Sequence, residues 1–174
     1  MINTKSIRIK ILDEESNSIL NTFKSSDTNL NIFLRRKAKK HQTELLAVTY
    51  LLYNFETLIG YFSLSADTMP ATDIEKEKFQ NGKKYKSYPA IKIGRLAIAE
   101  EYAREGYGSW LISAIKFKFA NEQLPIGCRY LLVDAYTNAL DFYAKNDFIF
   151  WTNEDADNHA TRLMYYDLMK SRIH

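Results

Sequence analysis

The chain has 174 residues, 46% of them apolar, and its 24 basic and 21 acidic side chains leave a net charge of +3. That length and apolar share fit a single compact domain over residues 1–174, and no apolar run approaches the roughly 18 residues of a membrane span. A single cysteine, Cys128, excludes an internal disulfide and fits a reducing cytoplasm, while His41, His159 and His174 lack metal-ligand spacing, so no metal site is expected.

Residues 1–12 alternate apolar and polar side chains without the apolar centre of a secretory signal, and Ile7-Arg8-Ile9-Lys10-Ile11 predicts a strand. A short helix is predicted over 14–23. Polar residues 24–29 break it, with Asp27 or Asn29 placed to cap the next helix. In that helix Leu30, Phe33, Leu34 and Ala38 recur at helical spacing, so Arg35, Arg36, Lys37, Lys39 and Lys40 point outward. A basic face of this kind is either a nucleic-acid contact or a solvated surface. Residues 45–53 and 57–64 predict a hairpin turned by Asn54-Phe55-Glu56.

Residues 65–88 read as a long charged connection, helical over 74–79, with Lys83, Lys84 and Lys86 forming a second basic cluster. A strand follows over 90–98. Its Arg95 either faces an acceptor cleft or pairs with an acidic neighbour. Next come a helix over 109–123 ended by Pro125 and Gly127, a strand over 130–135, a helix over 138–146 and strands over 148–151 and 161–168. Cys128, beside the apolar run 130–133, reads as a buried structural thiol. The pattern is mixed α/β, a hairpin followed by strand-helix-strand-helix-strand.

The junction between strand 90–98 and helix 109–123 carries most of the functional information. Gly106 and Gly108 lie where the chain turns into the helix, so an anionic group can approach the backbone closely. Unpaired first-turn amides and the positive end of the helix dipole suit such a place to a phosphate. The lysine-serine ending of a nucleotide-hydrolase loop is missing.

The run Ala103-Arg104-Glu105-Gly106-Tyr107-Gly108 resembles the Gln/Arg-x-x-Gly-x-Gly/Ala turn of GNAT N-acetyltransferases, with Ala103 where Gln or Arg is usual. Ala139-Leu140-Asp141-Phe142-Tyr143, followed by Asn146-Asp147-Phe148, is similar to a second segment of that family, with Asp147 in the usual glycine place. The run from Phe23 to Leu34 with Ala38 and Gln42, the strand Ile93-Gly94-Arg95-Leu96-Ala97-Ile98 and the terminal Thr161-Arg162-Leu163-Met164-Tyr165 resemble the acetyltransferase toxins of toxin–antitoxin pairs. The resemblance covers nearly the whole chain.

It implies a single mixed, mainly antiparallel central sheet flanked by helices, with a V-shaped splay of strands for acetyl-coenzyme A. It further implies that Arg104, Glu105, Gly106, Tyr107, Gly108 and Ser109 hold the diphosphate and that Leu96, Ala97 and Ile98 hold the pantetheine arm. Tyr143 would return a proton to the departing thiolate as general acid. The acceptor implied is the α-amino group of an aminoacyl-tRNA, with Arg35, Arg36, Lys39, Lys40, Lys83, Lys84 and Arg95 as its candidate contacts. A ribbon-helix-helix antitoxin and a homodimer are the implied partners.

No carboxylate stands out as a general base. An α-amine, with a pKa of about 7.7–8.0, keeps a useful neutral fraction without one, whereas a lysine near 10.4 would need more help. Two other readings stand beside this one: an acetyltransferase acting on a small-molecule or protein amine, and a non-catalytic binding module.

Overall fold

The computed structural model describes residues 6–70, 85–151 and 160–173. Seven strands lie in the order β1-β2-β3-β4-β5-β7-β6. Pairs β1–β2, β2–β3, β5–β7 and β6–β7 are antiparallel, while β4–β5 is parallel, which is the mainly antiparallel sheet expected. The chain divides into two compact units, one of Met1–Ser65 with Ile93–Ile112, the other of Ala66–Lys92 with Ser113–His174.

In the first unit β1 (Ile7–Ile11) ends where Asp13 accepts from the Ser16 amide and starts a 3-10 turn, Glu14–Ser16, leading into α1 (Asn17–Leu20). Asp27 caps the next helix by accepting from the amides of Asn29 and Leu30. The helix runs as α2 (Thr28–Ile32), a π-turn (Phe33–Lys37) and α3 (Ala38–Thr43). The π-turn inserts a residue's worth of rotation and brings Phe33, Leu34 and Ala38 together onto one buried face, as the predicted stripe requires. They join Phe23, Leu51, Leu58, Tyr61, Ala97 and Ala99 in one apolar cluster. The Tyr61 hydroxyl, inside that cluster, donates to the Leu30 carbonyl at 2.8 Å.

Strand β2 (Val48–Asn54) starts three residues later than the sequence pattern predicts. Leu45 adopts φ 57 and the amides of Leu46 and Ala47 donate to the His41 carbonyl, so 45–47 finish the helix instead of opening a strand. Phe55, at φ 52, turns the hairpin into β3 (Thr57–Pro70). Strand β3 and β4 (Ser87–Ile98) absorb residues 65–70 and 87–88 of the predicted connection; its helix over 74–79 lies outside the described residues. A Cβ on Gly60 would stand 2.9 Å from the Ala97 carbonyl oxygen and 2.8 Å from the Ile98 Cδ1. Gly60→Ala is therefore expected to lower stability by about 1–3 kcal/mol, because backbone of β4 must move to admit the methyl group. Urea unfolding measures this directly, and an unchanged midpoint would contradict it.

In the second unit β4 and β5 (Tyr130–Tyr136) pair in parallel through Ala90↔Tyr130, Ile91↔Leu131 and Lys92↔Leu132, where their ladder ends. Strand β7 (Thr161–Asp167) pairs with β5 along its whole length, and the two-residue β6 (Ile149–Phe150) closes the far edge. Met69, Tyr88, Ala90, Tyr130, Leu132 and Tyr165 form the core here. The Tyr130 ring meets Tyr88 and Tyr165 edge-on, at 6.0 and 5.8 Å, the arrangement that aromatic quadrupoles favour. Cys128 lies half-buried with Sγ 3.3 Å from the Tyr130 carbonyl, and burial pushes its thiol up to about 11, as a structural cysteine requires. Among the described residues no helix is long and apolar enough to cross a membrane.

Candidate active site

The stretch after β4 turns the chain into the next helix. The Ala99 amide donates to the Ile59 carbonyl, and a 3-10 turn (Glu100–Tyr102) then reverses the chain. Arg104 and Gly106 both take left-handed backbone, φ 64 and φ 92, and the Gly106 carbonyl accepts the first helical bond from the Trp110 amide. Helix α4 (Tyr107–Asn121) thus begins two residues earlier than predicted. Gly106 alone is the turn glycine; Gly108 sits inside the first helical turn. The amides that open α4, beginning with Tyr107 and Gly108, have no intrahelical acceptor. Residues 103–106 are exposed, while Tyr107 is buried with its ring edge-on to Tyr102 at 5.9 Å. One aromatic anchor thereby holds an open, amide-rich turn.

The same unit contains Leu96, Ala97 and Ile98 on β4, with Ala97 buried and its neighbours half-buried. Arg95 corrects one of the two readings made for it. Among the described residues it has no acidic partner; its guanidinium lies 5.2 Å over the Phe33 ring and donates to the Gly94 carbonyl. It is exposed, and an aromatic ring stands in place of the acidic neighbour that one of the two readings named.

Arg35, Arg36, Lys39 and Lys40 are all exposed on the α2–α3 helix, as predicted, and line one groove with Leu34. They are not equally available. Arg35 donates to the Phe23 carbonyl at 2.5 Å, Lys39 pairs with Glu14, and Lys40 lies 3.7 Å from Glu44. Among the described residues Arg36 and Lys37 have no ion-pair partner. Lys83 and Lys84 lie outside the described residues.

Tyr143 lies on α5 (Leu140–Lys145) in the second unit. It is 7% exposed, packed edge-on against Phe142 at 5.0 Å and Phe148 at 5.5 Å. Burial raises its pKa, so the phenol holds its proton at neutral pH. Among the described residues no hydrogen bond engages its hydroxyl. A protonated phenol in apolar surroundings is chemically a proton donor awaiting an acceptor.

Two residues outside the predicted site shape the surroundings of Tyr143: Asp147, noted in the sequence only for standing in a glycine place, and Lys116, which was not singled out. Asp147 adopts φ 60, which explains why glycine is usual there; Asp is one of the few side chains that enter this region, at about 1–2 kcal/mol. Lys116, 7% exposed on α4, donates to the Asn146 carbonyl at 2.6 Å and lies 3.3 Å from Asp147 Oδ2. Burial pulls its pKa down, partly opposed by the Asp147 carboxylate. The signal for Lys116 was present in the chain: it stands one turn after Ile112, on the apolar stripe of α4. Among the described residues no cluster of His, Cys, Asp or Glu could hold a metal ion.

Comparison with known proteins gives this arrangement a family. The model of the acetyltransferase (GNAT) domain matches residues 48–150. Curated protein sequences contain no significant match. Among solved structures, a Tyr-to-Phe mutant of KacT superposes with TM-score 0.77 at 21% identity, over 95% of this chain and 96% of that one. AtaT complexed with acetyl-methionyl-tRNAfMet is similar at TM-score 0.73 and 22% identity, over 95% of this chain and 96% of the other. A Tyr-to-Phe mutant of the AtaT toxin, bound to the C-terminus of the antitoxin AtaR and acetyl-CoA, gives TM-score 0.73 at 21% identity, covering 95% of each chain. At these identities the likeness establishes the fold alone. The domain match, which spans more than half the chain, establishes more: this protein belongs to the GNAT acetyltransferase family and is an acyltransferase that draws its acetyl group from acetyl-coenzyme A.

Proposed function

We propose that the acceptor is the α-amino group of an aminoacyl-tRNA and that the protein is the toxin of a toxin–antitoxin pair. One observation carries this reading. The chain presents an outward basic helix face on a fold that matches, over 95% of its length, that of AtaT seen with acetyl-methionyl-tRNAfMet. A ribbon-helix-helix antitoxin and a homodimer belong to the same proposal; sequencing of the neighbouring genes tests the first, and a small gene for such a protein immediately upstream is the expected result.

Bound acetyl-coenzyme A supplies a thioester carbonyl open to attack by a neutral amine. The amides of Gly106, Tyr107 and Gly108, with Ser109 at their edge and Arg104 and Glu105 before them, receive the diphosphate. The exposed turn and its position at the helix N-terminus fit that role. Leu96, Ala97 and Ile98 hold the pantetheine arm by backbone hydrogen bonds, as an added strand does; the ladder of β4 to β5 stops at Lys92, before these residues. An amide near Leu96 or Ala97 donates to the carbonyl oxygen as negative charge grows there. Tyr143 then passes its phenolic proton to the departing sulfur.

Incubation with labelled acetyl-coenzyme A and charged total tRNA, followed by identification of the labelled aminoacyl species, tests the acceptor. Label recovered only on free amines or protein would sink the tRNA assignment. The basic face makes a separate, quantitative forecast. Arg36 should be its leading phosphate contact and Lys40 a weaker one, since Lys40 has Glu44 nearby and Arg35 and Lys39 are already engaged. Replacing Arg36 and Lys40 by Ala should reduce the slope of log K against log salt by about 1–2. A slope identical to that of the parent protein removes this helix from the interface.

A further inference from the structure

The C-terminal end of α5 is a cap of the kind that usually takes glycine. The Phe148 amide donates to the Tyr143 carbonyl and the Asp147 amide to the Ala144 carbonyl, both at 3.0 Å. The residue between the helix and Phe148 must then have positive φ, and here it is Asp147. The apolar contact that accompanies such caps is made by Phe148 against Tyr143 itself, at 5.5 Å between ring centroids. The conformation of the cap therefore sets where the Tyr143 ring stands.

What holds the cap without glycine is on the neighbouring helix. Lys116 Nζ donates to the Asn146 carbonyl at 2.6 Å and to Asp147 Oδ2 at 3.3 Å. Its cation is also covered by rings, 3.8 Å from the Tyr166 centroid and 5.6 Å from that of Phe148. The Asn146 side chain closes the cap from the other side by donating to the Phe142 carbonyl at 2.8 Å. A buried ammonium is costly unless it is bonded in this manner, so its placement is specific. Three of its four neighbours are the cap and the ring packed on Tyr143.

We propose that Lys116 is a positioning residue that fixes the general acid Tyr143 by tethering the Asn146–Asp147 cap, in the place where a glycine would hold the same turn unaided. This rests on the catalytic reading of Tyr143 given above. The tether acts on geometry and takes no part in proton transfer.

The test is Lys116→Met in the full chain, followed by two readouts. With ring-labelled tyrosine, the Tyr143 signal (identified by its loss in Tyr143→Phe) should shift or broaden in the ligand-free protein. In the acetylation assay kcat should fall roughly tenfold to a hundredfold, with KM for acetyl-coenzyme A little changed. Adding Asp147→Gly to Lys116→Met should recover much of the lost kcat, because glycine adopts the positive φ without a tether. Lys116→Gln, which removes the charge but keeps a donor, serves the same readouts should the Met variant not fold. An unmoved Tyr143 signal in a folded variant overturns the tether. So does a loss of kcat that glycine leaves untouched. A moved ring with unchanged kcat leaves the tether standing and overturns the catalytic role of Tyr143.

Discussion

Tyr143→Phe is expected to lower kcat by about 10²- to 10⁴-fold, the usual loss when a positioned proton donor is removed. Acetyl-coenzyme A affinity, read by calorimetry, should hardly change, because removing one oxygen atom leaves the edge-on packing with Phe142 and Phe148 in place. The effect should also be visible in cells: if the protein blocks translation, growth arrest on expression should vanish with the hydroxyl. Burial lifts the phenol's pKa above its ordinary value. The donor form therefore predominates across the neutral range, and tyrosine ionisation should not limit the rate there. Full activity in Tyr143→Phe would reduce this residue to core packing.

The second large effect is expected at Gly106. Its φ of 92 lies where L side chains are strained, and a β-branched residue fits there worst of all. In Gly106→Val the turn must either bear about 1–3 kcal/mol of strain or move. Movement would misdirect the opening amides of α4, and affinity for acetyl-coenzyme A should fall about tenfold or more, since each 1.4 kcal/mol is a factor of ten. Calorimetry on the folded variant reads the result; unchanged affinity would place the diphosphate elsewhere. Gly108→Ala makes the contrast. This position lies within the first turn of α4, so alanine should be tolerated by the backbone, and any loss must come from the methyl group meeting the ligand.

Much of the fold was legible in residue order because its signals are local. Ile7–Ile11 alternates, Asp27 caps, and the apolar stripe Phe33-Leu34-Ala38 forces the basic residues out, whatever surrounds them. The misreadings have separate causes. Leu45 to Ala47 are strand-forming by composition but are bound by the His41 carbonyl. Residues 65–70 are polar enough to suggest a connection, yet β3 runs on through them to Pro70. The start of α4 was misjudged because glycine content marks a turn without saying which glycine has positive φ.

The spacing of glycines and the Phe142-Tyr143 pair were enough to name the family, since both depend on short stretches of backbone. Chain order could not say that Arg95 rests on Phe33, that Lys39 is occupied by Glu14, or that Lys116 reaches Asn146 and Asp147. Those facts arise between residues 25 to 62 positions apart, and pairwise electrostatics and ring packing act through space, so only folding brings them within range.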